Sequence, residues 1–323
     1  MTGKDLRIVF MGTPDFAVAS LNALVENGYN VVGVITAPDK PAGRGKKLAE
    51  SAVKKYAVEN NLKVIQPGKL KNPDFIEELR QLRADLQVVV AFRMLPEVVW
   101  NMPKHGTFNL HGSLLPQYRG AAPLNWAVIN GETKTGVTTF LLDHEIDTGK
   151  ILFKNEIQIG ENDTVGVVHD RLMEIGATLV LETVDAIAAG NIRPIPQEKL
   201  IHEKEIKHAP KIFKEDCKID WNKNREEVRN LIRGLSPYPA AWSNLVNRKT
   251  GEEIFTKIFF ARKVPSGTDD NPGSIKTDGK NYLNVACKNS WLQITDLQIS
   301  GKKRMRTEEF LRGFQQIEEY HFQ

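Results

Sequence analysis

The first 190 residues alternate short, predominantly apolar runs with segments whose apolar residues recur at helical spacing, and that alternation leaves few folds open. Residues 6–11, 31–35, 86–91 and 107–111 have the length of strands. Between the first two, Pro14 opens a segment in which Phe16, Ala17, Leu21, Leu24 and Val25 form one stripe, closed by Gly28. Further helical segments are expected near residues 49–60 and 73–82. Strands over 136–142 and 151–159 then precede a long amphipathic helix from about 163 to 189. This order predicts an α/β fold with a doubly wound, mostly parallel sheet, which binds ligands at the carboxyl ends of its strands.

The fourth run ends at such a carboxyl end in an unusual way. Side chains two apart on a strand share a face, so Asn109 and His111 can address one reacting atom together. Gly112 and Pro116 then forbid continuation of the strand. Asp147, 36 residues beyond His111, sits in the turn sequence Glu145-Ile146-Asp147-Thr148-Gly149. A hydrogen-bonding amide, a titratable imidazole and a distant carboxylate suffice for acyl or formyl transfer without a metal or a covalent nucleophile. Other chemistries are disfavoured by their missing partners. Ser113 lacks a G-x-S-x-G context, and His144 has no second histidine or cysteine at metal-ligand spacing. Gly12 stands where a dinucleotide fingerprint would, but G-x-G-x-x-G and Walker A sequences are absent, so Gly12 is expected to serve the turn.

A chain of 323 residues is long for one core, and its character changes along its length. Residues 1–190 hold 20 Lys and Arg against 22 Asp and Glu, whereas residues 191–323 hold 24 against 18. The expected division is a catalytic domain over 1–192, a proline-marked charged linker over 193–213 and a basic domain over 214–323. In the last, a helix over 225–235 is followed by strand-like runs at 242–247, 254–264, 273–277, 282–286 and 291–299, the pattern of a small β-barrel. A basic second domain suits a polyanionic partner. With no signal-peptide core, no apolar run of membrane length and only the distant Cys217 and Cys287, a cytoplasmic protein is expected.

The run Asn109-Leu110-His111-Gly112-Ser113-Leu114-Leu115-Pro116, continuing after Gln117 with Tyr118-Arg119-Gly120, resembles the signature of enzymes that use 10-formyltetrahydrofolate. Asp147-Thr148-Gly149 matches the carboxylate turn of the same enzymes. Over essentially its whole length the chain is similar to the methionyl-tRNA formyltransferase family. The resemblance implies formyl transfer from 10-formyltetrahydrofolate, with no metal, to the α-amine of initiator methionyl-tRNA. Asn109, His111 and Asp147 would be catalytic: Asn109 and His111 stabilise the oxyanion, and Asp147 orients His111 and relays the amine's proton. Ser113, Leu114, Leu115 and Pro116 would line the folate pocket, and the second domain would be an OB-like barrel docking the tRNA stem.

The long basic connection over 37–47 resembles the loop by which this family engages the acceptor end of tRNA, with Arg44, Lys46 and Lys47 neutralising phosphates or stacking on bases. Relatives acting on small acceptors tend to lack it. One departure is Arg93, which stands where the family's pterin-pocket segment usually has glycine. Two alternatives remain at this point: a folate-dependent formyltransferase acting on an amino sugar nucleotide, and a non-catalytic tRNA-binding protein. A monomer is expected, because tRNA must reach both domains.

Overall fold

Seven strands form the central sheet of the first unit: β1 (Ile8–Gly12), β2 (Val31–Ile35), β3 (Val64–Ile65), β4 (Leu86–Val90), β5 (Thr107–His111), β6 (Lys134–Leu141) and β7 (Ile151–Gln158), ordered β7-β6-β5-β4-β1-β2-β3. The structure is a computed structural model, describing residues 2–42, 47–201 and 205–323. From β5 through β3 every neighbouring pair is parallel, and β6 then runs antiparallel to β5. Strands β1 and β4 are buried at every residue, which explains why they read as nearly unbroken apolar runs.

The helices carry their own start and stop signals. In α1 (Asp15–Glu26), Phe16, Ala17, Leu21 and Leu24 are buried, and Gly28 takes φ +72° beyond its end. The Ser51 hydroxyl caps α2 (Ala52–Glu59) by accepting from the Lys54 N–H, and Asn72 caps α3 (Pro73–Gln81). Gly12, expected to serve the turn, meets a packing constraint at the end of β1. A Cβ there would lie 2.6 Å from that of Ala17 and 3.1 Å from the Val90 carbonyl, so β1 meets α1 and β4 only with glycine at this point. The long helix α4 (Val165–Ala188) covers one face of the sheet, where a Cβ on Gly176 would meet the Leu110 side chain at 2.8 Å.

The first unit gathers residues up to Pro123 with Thr135–Ile157 and His169–His208, and the second gathers Leu124–Lys134, Gln158–Val168 and Ala209–Gln323. The second unit is a nearly closed antiparallel barrel of β8 (Ala241–Asn247), β9 (Glu253–Lys263), β10 (Ile275–Thr277), β11 (Leu283–Cys287), β12 (Ser290–Ile299) and β13 (Tyr320–Phe322), in the order β10-β11-β12-β9-β8-β13. The two ends of this order meet at a bridge between Ser274 and His321 and at a hydrogen bond of 2.9 Å from the Phe322 N–H to the Gly273 carbonyl. The adjacent helix α5 (Arg225–Leu235) begins with a reciprocal Asn224–Glu227 capping box and sends Val228, Ile232 and Leu235 into the barrel core. Among the described residues no helix is long and apolar enough to cross a membrane.

Candidate active site

The antiparallel register of β6 beside β5 pairs Asn109 with Phe140 and His111 with Thr138. Because Leu110 faces α4, the alternation of the strand sends Asn109 and His111 to the opposite face, at the carboxyl end of the parallel run. His111 is buried, and the edge of its ring approaches Phe140 at 6.4 Å between centroids. Its Nε2 lies 2.9 Å from the Tyr118 carbonyl oxygen. A carbonyl only accepts, so this contact assigns the proton to Nε2 and leaves Nδ1 as the free nitrogen of the neutral ring.

Beyond His111 the chain folds back on itself. The Ser113 hydroxyl donates to the Gln117 carbonyl at 2.7 Å, while the Thr138 hydroxyl donates to the Ser113 carbonyl at 2.6 Å and accepts from the Leu115 N–H at 3.2 Å. This folding places Tyr118 at φ +60° and brings Gly120 to the second titratable group, where its N–H donates to Asp147 Oδ2 at 2.9 Å. One three-residue stretch thus holds both groups through its backbone, the imidazole by a carbonyl and the carboxylate by an N–H.

Asp147 has φ +56°, a left-handed conformation that a non-glycine residue adopts at a cost. Its Oδ2 is 3.9 Å from His111 Nδ1, close for a charge interaction and beyond hydrogen-bond range. The ring is therefore oriented by the Tyr118 carbonyl, where the sequence suggested Asp147. The turn is tight: a Cβ on Gly149 would fall 1.7 Å from the Leu141 carbonyl oxygen. From residues assigned to the linker on sequence grounds comes Gln197, completely buried, whose Nε2 donates at 2.8 Å to both the Asp147 and Gly149 carbonyls. Its Oε1 accepts from Nε and Nη2 of Arg119 at 3.1 and 2.7 Å. Nothing in the residue pattern marked Gln197 or the Tyr118 carbonyl, since one lies in a charged proline-rich stretch and the other is backbone.

The remaining candidates fall into place unevenly. Among the described residues, the buried Asn109 Oδ1 has no hydrogen-bond partner. Of the expected folate-pocket residues, Ser113, Leu115 and Pro116 are buried, with Leu115 packed against Phe140 and Ile151, and Leu114 alone keeps appreciable surface. Arg93 donates to the Gly68 carbonyl at 3.1 Å and to the Pro67 carbonyl, so the chain's own backbone occupies it. In the long connection, Lys40–Ala42 and Lys47–Ala49 pair as a short hairpin. Arg44 and Lys46 lie outside the described residues, and Lys47 opens the returning strand. The base of this hairpin is clamped, with Asp39 bonded to Lys54 at 2.5 Å and to Gln66 at 2.8 Å, contacts that hold its carboxyl below the usual range. His144 is exposed with its ring edge-on to Trp100, and among the described residues no three His, Cys, Asp or Glu side chains are grouped to hold a metal.

Comparison with known proteins places the whole chain in one family. Residues 6–184 match the formyl transferase family, and residues 211–315 match the formyl transferase C-terminal domain. The chain is 60% identical over 320 residues to a methionyl-tRNA formyltransferase of Bacteroides fragilis, covering 99% of this chain and 98% of that one. It is 58% identical over 320 residues to that of Bacteroides thetaiotaomicron, covering 99% of each. Among solved structures, an N-formyltransferase of Helicobacter canadensis in complex with folinic acid and dTDP-3-aminofucose shares the fold, with a TM-score of 0.65, 22% identity, and coverage of 90% of this chain and 98% of that one.

Proposed function

The chain belongs to the methionyl-tRNA formyltransferase family, a family of formyl-group transferases, and on that premise we propose that it transfers the formyl group of 10-formyltetrahydrofolate to the α-amine of initiator methionyl-tRNA, using Asn109, His111 and Asp147. The observation that carries this reading is the pair formed by His111 Nδ1 and Asp147 Oδ2, 3.9 Å apart. With Nε2 committed to Tyr118, the neutral ring turns a lone pair toward a carboxylate. Two acceptors facing one another call for a guest with several N–H bonds, and an amine is such a guest.

The donor supplies an activated one-carbon carbonyl on a nitrogen able to leave. The protein's residues do the rest. An aminoacyl α-amine, with an ordinary pKa near 8, must be neutral to attack. Asp147 Oδ2 holds one of its hydrogens and His111 Nδ1 takes another as the new C–N bond forms and the carbonyl electron pair moves onto oxygen. The Asn109 amide N–H donates to that oxygen, a contribution of about 3–4 kcal/mol for one such donor. The imidazolium, its second N–H still on the Tyr118 carbonyl, returns its proton to the departing nitrogen as the old C–N bond breaks. Atoms and charges balance without a further reagent.

The acceptor is decided by direct assay with the formyl donor, charged initiator tRNA and a dTDP-amino sugar. Formylation of the methionyl amine alone is expected. Formylation of the sugar with the charged tRNA untouched would move the protein to the sugar branch, and no turnover on either would make it a binding protein.

A further inference from the structure

We infer that Gln197 is a positioning residue for the transfer, setting the place of the Asp147 carboxylate by gripping the turn that carries it; the inference rests on the reading of Asp147 as a working group. The Asp147 and Gly149 carbonyls converge on one nitrogen, Gln197 Nε2, at 2.8 Å each. Carbonyls two residues apart reach a common donor only where the chain is sharply curved, and the curvature here includes the left-handed Asp147 at φ +56°. Such a conformation persists where the surroundings over-determine it.

Gln197 meets that condition. It is 0% exposed, so its hydrogen bonds face no competition from water. Its amide has one possible orientation, because two guanidinium donors of Arg119 hold the oxygen and two carbonyl acceptors hold the nitrogen. The grip also closes on itself. Arg119, which anchors Gln197, is followed by Gly120, whose N–H holds the Asp147 carboxylate. Asp147 is therefore held at its backbone by Gln197 and at its side chain by Gly120, and both holds trace to one dipeptide. Gln197 touches neither His111 nor Asn109 among its hydrogen bonds, so it acts through Asp147. Misplacing a reacting group by about 1 Å costs on the order of 100-fold in rate.

The test is Gln197→Met, which fills the same space and removes all four hydrogen bonds, made in the parent and in an Asp147→Asn background. Expected is a fall in kcat of about 10- to 100-fold, with KM for the formyl donor and for methionyl-tRNA within about twofold. In the Asp147→Asn background the same substitution changes kcat little, because the group it positions is already gone. A kcat within twofold of the parent, or an equal fall in both backgrounds, overturns the inference. If Gln197→Met does not fold, Gln197→Glu replaces it in the same cycle with the same criteria, since it keeps the Arg119 partner and turns a carboxylate oxygen toward the two carbonyls. An Asp147→Asn enzyme with the parent's kcat sinks the reading of Asp147 and this inference with it. A crippled Asp147→Asn enzyme beside an unaffected Gln197 variant sinks the inference alone.

Discussion

Nδ1 of His111, whose Nε2 is committed to the Tyr118 carbonyl at 2.9 Å, stands 3.9 Å from Oδ2 of Asp147. The distance admits a nitrogen guest and excludes a direct bond. It follows that His111→Ala should lower kcat by about 10²- to 10⁴-fold, the range for loss of a positioned acid–base group. Affinity for methionyl-tRNA should persist, since the basic surfaces are untouched. Single-turnover formylation beside a tRNA titration measures both, and a variant retaining near-parent turnover would refute the assignment.

Asn109→Ala removes the donor proposed for the developing oxyanion. A loss of about 3–4 kcal/mol in transition-state stabilisation is expected, seen in kcat with little change in KM. Because Asn109 Oδ1 has no partner among the described residues to orphan, the folded state should lose little stability. A large drop in thermal midpoint would instead mark the amide as structural.

Much of the fold is legible in the sequence, and where it is not the cause is physical. The boundaries of Val31–Ile35, Thr107–His111 and Arg225–Leu235 coincide with those expected, since apolar periodicity and breakers such as Gly112 and Pro116 are local signals. Tyr320–Phe322 escaped because a three-residue strand is defined by the partner it meets, here the distant Leu245–Asn247 stretch. The Lys40–Ala42 and Lys47–Ala49 hairpin escaped for a different reason: its glycines and charges read as a loop. At the site, Asn109 and His111 were visible as an i, i+2 pair on one strand. The Tyr118 carbonyl and Gly120 N–H were not, because backbone groups exist at every position and only folding selects which are used.

Arg44→Ala tests the basic connection. If Arg44 neutralises a phosphate, tRNA affinity should fall and the slope of log K against log salt should shrink by about 0.7–0.9. Folate binding should be unchanged. An unaltered slope would mean that this arginine does not meet the backbone of the RNA.

Gly149→Ala should be costly despite adding a single methyl. Its Cβ would lie 1.7 Å from the Leu141 carbonyl, so β6 and the turn must part. A loss of about 3 kcal/mol is expected from the forced overpacking, read as a lower urea midpoint at unchanged m-value. An unshifted midpoint would show that the turn adapts.

In the barrel, burial pushes the Cys287 thiol up to about 12. A raised acid contributes fully below its unfolded value near 9, and its contribution is lost as pH climbs from there through 12. A three-unit gap corresponds to about 4 kcal/mol at the upper end. Urea midpoints measured across this window should fall more steeply for the parent than for Cys287→Ala, and parallel curves would refute the assignment.

The seam between Gly273 and Phe322 also bears on how the chain is made. Synthesis runs from the amino end, so Gly273 leaves the ribosome well before the strand that must lie against it. Until Tyr320–Phe322 emerges, β8 and the Gly273–Ser274 backbone lack their ladder partner, and the hydrophobic interior behind them has an open flank. The second unit is therefore closed by a strand made after every other strand of its barrel, and changes to Tyr320–Phe322 act on the fold itself.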